Sequence, residues 1–277
     1  MLWVPQKGVL RVQHNAGSVG TLTPGTSVTT GASTNTKGTP AEIFSATNFA
    51  SFWMTIIATG YGAGGVASDG AMDILIGAAT EEVLIPNLLM GECGNVGDNT
   101  EGGFKRWDFP LYTPAGSRIA VQAAGRRTST AFNVVMYLHG GNGSPPFRVG
   151  SKVTTYGMGT VPNGTAITPG ANGAEGSWAQ IAAATSEDHF AFLPSFQVTN
   201  DSIILNRVLS LEIGVGAATE ESIGEWLFSA HANELVHGPM DSTPVFQDVP
   251  AGTRLSMRAS NNATNSDSYN AVIHAVS

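Results

Sequence analysis

Cysteine occurs once, at Cys93, in a chain of 277 residues, so no intrachain disulfide framework holds the protein together. Cys93 reads as a small core hydrophobe. Charge is nearly as scarce: Asp, Glu, Lys and Arg make up 12% of the residues, about half the ~25% of an ordinary globular domain. The formal net charge is −8, and the densest cationic points are Lys105-Arg106 and Arg126-Arg127. That balance opposes a phosphate backbone and excludes nucleic acid as a partner. No apolar run approaches the ~20 residues of a membrane span, so no membrane insertion is expected. The first residues lack a basic segment followed by an apolar one. The expectation is synthesis in a cytoplasm, with retention there or release by lysis.

Sequence signatures of catalysis are also missing. There is no Gly-x-Ser-x-Gly elbow and no GxxxxGK[ST] loop. Gly60-Tyr61-Gly62-Ala63-Gly64-Gly65 matches GxGxxG as a string, but Val66-Ala67-Ser68-Asp69-Gly70 opens no helix on which a phosphate could sit. The pairs Glu81-Glu82 and Glu220-Glu221 are adjacent. Neighbours on a strand point to opposite faces and cannot flank one bond, so a solvated turn explains them. His231, Glu234 and His237 form the one cluster resembling metal ligands, and the matched stretch of the first half, 91–99, has no histidine. No metal, cofactor or catalytic residue is assigned. The chain is expected not to be an enzyme.

What the chain does have is a repeat. "GAATEE" starts at residue 77 and again at 216; "PAGSRI" at 114 returns as "PAGTRL" at 250; "GTSVT" at 25 as "GTAIT" at 164; "FNVV" at 132 as "YNAV" at 269. The order is kept and the start-to-start distance stays between 136 and 139 residues. Solenoid periods are 20–50 residues, so a whole domain has been duplicated. Each copy, at ~120–130 residues, is long enough to close a core. The boundaries expected are an arm at 1–17, within which Val9-Leu10-Arg11-Val12 reads as a short strand, copy one at 18–140, a Gly/Pro linker at 141–146 and copy two at 147–277.

Within each copy the apolar period is two. Met72-Asp73-Ile74-Leu75-Ile76 and Leu209-Ser210-Leu211-Glu212-Ile213 alternate as half-buried strands do, and apolar β-branched runs close each copy. Gly, Pro, Asn and Asp clusters separate them, and only 41–50 and 179–184 suggest a helical turn. The fold class expected is all-β: two tandem antiparallel β-sandwiches, jelly-roll-like, with an N-terminal arm. In Pro114-Ala115-Gly116, proline pre-sets the turn and glycine completes it. Among five tryptophans, Trp53 lies in an apolar run and reads as core. Trp107, between Lys105-Arg106 and Asp108, reads as exposed. Trp107, Lys105 and Arg106 are therefore the candidate binding surface, and Leu2, Trp3 and Val4 the candidate anchoring arm.

Three strings carry a family resemblance: "IGAATEEVLIPNLL" at 76–89, "FPLYTPAGSRIAVQA" at 109–123 and "FNVVMYLHG" at 132–140. Together they resemble a family of tailed-bacteriophage and prophage virion structural proteins, associated with fibres or decoration. Copy two fits the first and third parts of the pattern and departs at Ser222-Ile223-Gly224-Glu225-Trp226-Leu227. The resemblance implies a non-enzymatic virion component on the outside of the particle, partnered by capsid or tail proteins and by further copies of itself, and supplies no catalytic residues. The alternative is a tail fibre or receptor-binding adhesion protein recognising host-surface carbohydrate, since loops 93–107 and 232–247 differ strongly between the copies.

Overall fold

In the computed structural model, described at residues 10–18, 21–22, 25–61, 69–77, 81–91, 104–141, 143–145, 147–170, 172–198, 207–217, 219–230, 240–262 and 269–277, all regular structure is strand. The first half carries β1 (Leu10–His14), β2 (Gly17–Ser18), β3 (Thr21–Leu22), β4 (Thr26–Thr29), β5 (Ala41–Phe44), β6 (Ser51–Thr59), β7 (Gly70–Ile76), β8 (Glu82–Leu89), β9 (Phe104–Phe109), β10 (Ile119–Gly125) and β11 (Ala131–Gly141). The second carries β12 (Val153–Tyr156), β13 (Thr165–Ile167), β14 (Ala179–Ala182), β15 (His189–Val198), β16 (Arg207–Val215), β17 (Glu221–Ala230), β18 (Met240–Ser242), β19 (Val245–Val249), β20 (Leu255–Asn261) and β21 (Tyr269–Val276).

Strand order identifies the architecture. One sheet of the first half runs β1-β11-β6-β9, with β4 also on β11, and the other runs β5-β10-β7-β8. The second half repeats this as β12-β21-β15-β19, with β13 on β21, and β14-β20-β16-β17. Counting β1 and β4 as one broken strand, the eight positions of each half fall in the order 1-8-3-6 and 2-7-4-5. This is the two-Greek-key pattern of a jelly roll.

The period-two pattern builds each core. Along β11, Phe132, Val134, Met136 and Leu138 are buried while their neighbours are half-exposed. They meet Met54, Ile56 and Ala58 of β6 and, from the facing sheet, Met72, Ile74, Ile119 and Val121. The stretches 41–50 and 179–184, expected to hold a helical turn, instead open with β5 and β14, which pair with β10 and β20. Cross-strand burial of Ile43, Phe44 and Ile181 outweighs the helix preference of the alanines. The expected arm also shortens: β1 pairs with β11 from Leu10↔Gly141 to His14↔Tyr137, and is the counterpart of β12 on β21. Leu2, Trp3 and Val4 lie outside the described residues.

The repeated letters are accounted for by one corner. Gly116, at φ 80°, and Gly252, at φ 83°, close the two Pro-Ala-Gly turns. Each turn docks on a buried threonine. Thr47 Oγ1 donates to Pro114 O at 2.6 Å and accepts from Ser117 N at 3.0 Å. Thr185 does the same to Pro250 O at 2.9 Å and from Thr253 N at 3.1 Å. The arginine that follows reaches the other motif: Arg118 pairs with Glu81, and Arg254 with Glu220 at 2.6 Å. Gly77 N and Gly216 N donate to the carbonyls of those arginines. Glu81 and Glu220 are thus partly buried ion-pair partners rather than solvated turn residues, while Glu82 and Glu221 face solvent.

Thr47→Val keeps the shape of the side chain and removes the hydroxyl that links the Ser117 N–H to the Pro114 carbonyl, leaving that carbonyl to Ser117 Oγ at 2.8 Å and the N–H with only a long 3.4 Å contact to it. It is expected to lower unfolding free energy by ~1–3 kcal/mol in a denaturant titration, and Thr185→Val by a similar amount. Unchanged midpoints would show the corner to be idle.

Candidate functional site

Among the described residues, side-chain chemistry gathers at the junction between the halves and at a groove on the outer face of the first sheet. At the junction, the edge strand β8 meets β12 and β15 of the second half, and its Leu89 clusters with Val272 of β21. An edge strand presents unpaired backbone groups, and here they are met by side chains. Leu89 N–H donates to Ser195 Oγ at 3.0 Å, and Ser195 Oγ lies 2.8 Å from His274 Nε2. His274 Nδ1 lies 2.9 Å from Thr155 Oγ1, which donates to Pro86 O at 2.5 Å. Because the Thr155 proton goes to Pro86, Thr155 accepts from Nδ1–H, and Nε2 accepts from Ser195. One neutral tautomer satisfies the whole chain of bonds.

Apolar and cationic contacts seal the same seam. Ala71 and Leu89 pack with Val272, and Phe109 stands edge-on to the His274 ring at 6.0 Å. Gly70 N donates to Gln197 Oε1 at 3.2 Å. Gly91 has φ 50°, and a Cβ there would come within 2.8 Å of Gln197, so the approach requires glycine. In addition, β18 leaves its own half and pairs in parallel with β9, from Met240↔Lys105 to Ser242↔Trp107.

This geometry corrects the sequence-derived surface. Trp107 and Lys105 are 0% and 1% exposed. Both project from β9 on the side opposite Arg106, Trp107 into the core and Lys105 toward the second half. Lys105 Nζ donates to Phe196 O at 2.9 Å and sits 5.4 Å from the Phe196 ring centre. The flanking charges that suggested exposure are inward and outward members of one alternation. Arg106 alone of the three reaches the surface, pairing with Asp108 at 2.9 Å and with Asp241 at 3.6 Å.

Trp53, expected in the core, is half-buried on the outer face. With Leu10, Phe52, Thr55, Arg106, His139 and Phe147 it lines a groove of about 310 Å³. Phe147 stands edge-on to Phe52 at 5.9 Å and to Trp53 at 5.4 Å. Beneath them the buried carboxylate of Asp108 accepts from Trp53 Nε1 at 3.0 Å and from Thr55 Oγ1. Burial holds the His139 imidazole below its ordinary range, with Asp108 opposing and Arg106 reinforcing that shift. An aromatic rim over fixed polar groups suits a flat, hydroxyl-bearing ligand. The phase of β6 could have signalled it: Met54, Ile56 and Ala58 alternate inward, which turns Trp53 out.

The cluster His231, Glu234 and His237 lies outside the described residues, as do 93–103 and 232–239 of the loops at 93–107 and 232–247. Among the described residues, no group of three or more His, Cys, Asp or Glu side chains is placed to hold a metal ion.

No family model matches the sequence, and no curated protein matches it. Among solved structures, the chain is similar to PNGF-II at 8% identity and a TM-score of 0.37, covering 86% of this chain and 58% of that one. It is similar to the STIV MCP at 10% identity and a TM-score of 0.35, covering 97% and 96%. With VP2 of an infectious bursal disease virus subviral particle it shares 12% identity and a TM-score of 0.23, covering 98% and 72%. The chain thus spans 58% of the length of PNGF-II. Overlaps this loose carry no statement about function, and the fold rests on the strand order itself.

Burial alone pushes His274 down to about 3. The unfolded imidazole takes up a proton below about 6.5, so between those values the unfolded state holds the extra proton and stability falls as pH falls. In urea titrations from pH 8 to pH 4, the wild type should lose up to about 1.4 kcal/mol per pH unit more than His274→Gln. At pH 8 that variant should itself be less stable by ~1–3 kcal/mol. Parallel pH profiles for the two proteins would contradict a buried neutral His274.

Proposed function

We propose that this chain is a non-enzymatic structural component of a bacteriophage-type virion, displayed on the outside of the particle as a decoration or fibre-type protein. The observation that carries the reading is the use made of the repeated letters. The residues the halves share, Gly77 and Glu81 with Pro114, Gly116 and Arg118 and their second-half counterparts, close a turn and an ion pair. Selection has kept a scaffold in duplicate, and the differences lie at the junction and on the outer faces. Jelly rolls serve capsid and lectin domains alike, which is analogy at the level of fold. The strings at 76–89, 109–123 and 132–140 favour the virion. The partners are other virion proteins and further copies of the chain, and synthesis is in the host cytoplasm.

The groove beside Trp53 favours a second reading, an adhesion protein that takes a host-surface carbohydrate on Trp53 and Phe147. A glycan array probed with the wild type and with Trp53→Ala separates the two: signal lost on substitution supports adhesion, and a blank array removes it.

For the leading reading, particles purified from lysates of cells making the chain are expected to contain it, and electron microscopy with and without the gene should show outer density that vanishes with it. Deleting residues 2–9, which leaves β1 whole, is expected to lower incorporation at least tenfold while the circular dichroism spectrum is kept. Particles free of the chain would overturn the virion role, and undiminished incorporation after the deletion would overturn the anchoring role of Leu2, Trp3 and Val4.

A further inference from the structure

The contact between the halves joins two different faces, and each half owns both. The first half offers the β7–β8 edge, with Ala71 and Leu89; the second offers the outer face of β12, β21 and β15, with Thr155, Val272, His274 and Ser195. Strand registers identify the same positions in the other half. Ala71↔Leu89 corresponds to Ser210↔Leu227. Ser195↔Val272 corresponds to Ile57↔Val135, and Thr155↔His274 to His14↔Tyr137.

The exposures of these counterparts differ sharply. Leu89 is 0% exposed, sealed against Val272, whereas Leu227 is 72% exposed. Val208, on the same face as Leu227, is 53% exposed. At the far end, Val272 is fully buried while its counterpart Val135 is only half-buried, and Leu10 and Val12 on that face are 41% and 47% exposed. A lone exposed leucine is ordinary. Here, however, the two faces left uncovered are the counterparts of the two that pair within the chain.

We propose that a second copy of this chain covers them. The Leu227 face of one molecule seats on the Val135–Tyr137 face of the next, repeating head to tail the contact that Leu89 makes with Val272. The contact is heterologous, so it propagates until a ring closes or a filament runs on. At the new seam Ile57 stands where Ser195 stands in the internal one, Tyr137 stands for His274, and His14, its ring 5.5 Å from that of Tyr137, stands for Thr155. Assembly in buffer is independent of whether a particle carries the chain, so its failure would leave the virion reading standing.

Complementation between two variants tests this directly. Leu227→Asp and Val135→Asp each destroy one of the two faces, and each alone is expected to sediment at the mass of one chain, while the wild type forms larger species. An equimolar mixture of the two variants keeps one intact pair of faces and should give a two-chain species and nothing larger. If Val135→Asp loses its circular dichroism spectrum, Val12→Asp on the same face takes its place. A wild type that stays at one-chain mass at ~1 mM, the limit of weak association, would overturn the proposal. So would variants that assemble like the wild type, or a mixture that yields no two-chain species.

Discussion

A strand at the edge of a sheet must find partners for the backbone groups it turns outward. The rest of this structure depends on how β8 meets that requirement. Its Leu89 N–H and Pro86 carbonyl are the two ends of a run of hydrogen bonds that passes through Ser195, His274 and Thr155. Every group in the run has its partner, and the imidazole at its centre is fully buried and neutral. Polar groups buried this way tolerate one geometry, because any shift leaves a donor or acceptor unpaired at a cost of ~1–3 kcal/mol. The two jelly rolls are therefore held in one fixed relation. Lys105 and β18 extend that seam from opposite sides: one half lends an ammonium group, the other a strand.

Duplication explains both what was kept and what changed. The threonine-docked turns recur with similar distances, and the arginine–glutamate pairs recur beside them. A corner of a jelly roll needs them wherever the roll sits. Positions on the outer faces carry no such demand, and there the copies part: Tyr137 against His274, Ile57 against Ser195, His14 against Thr155. A junction between two identical faces would have let the matched residues diverge together. A junction between unlike faces lets each copy specialise one of them and leaves the other open.

Much of this fold was legible in the sequence. The repeat, the strand period and the Pro-Ala-Gly turns are local signals, and local chemistry decides them. The arginine–glutamate pairs were not legible as pairs, because Glu81 and Arg118 meet only when the sheets close. Trp107 and Trp53 were assigned the wrong sides: neighbouring charges stood in for the phase of the strand, whereas the inward set Met54, Ile56 and Ala58 fixes it. The buried Lys105 ran against the ordinary preference of lysine for water, and partners it meets there, the carbonyl and ring of Phe196, lie far along the chain. The short β1 was readable as a strand, but not as a member of copy one, because its partner β11 lies more than a hundred residues away. The junction is the extreme case, since the run of donors and acceptors through Ser195, His274 and Thr155 draws on four separate strands.

Hydrogen exchange at the Leu89 amide tests the fixed junction most directly. An outward amide of an edge strand ordinarily exchanges through local opening, far faster than the core. Sealed by Ser195, the Leu89 amide is predicted to exchange only with global unfolding, at the rate of core amides such as that of Val121. Exchange orders of magnitude faster than Val121 would mean that the two halves part freely, and that the chain is a pair of beads and not one body.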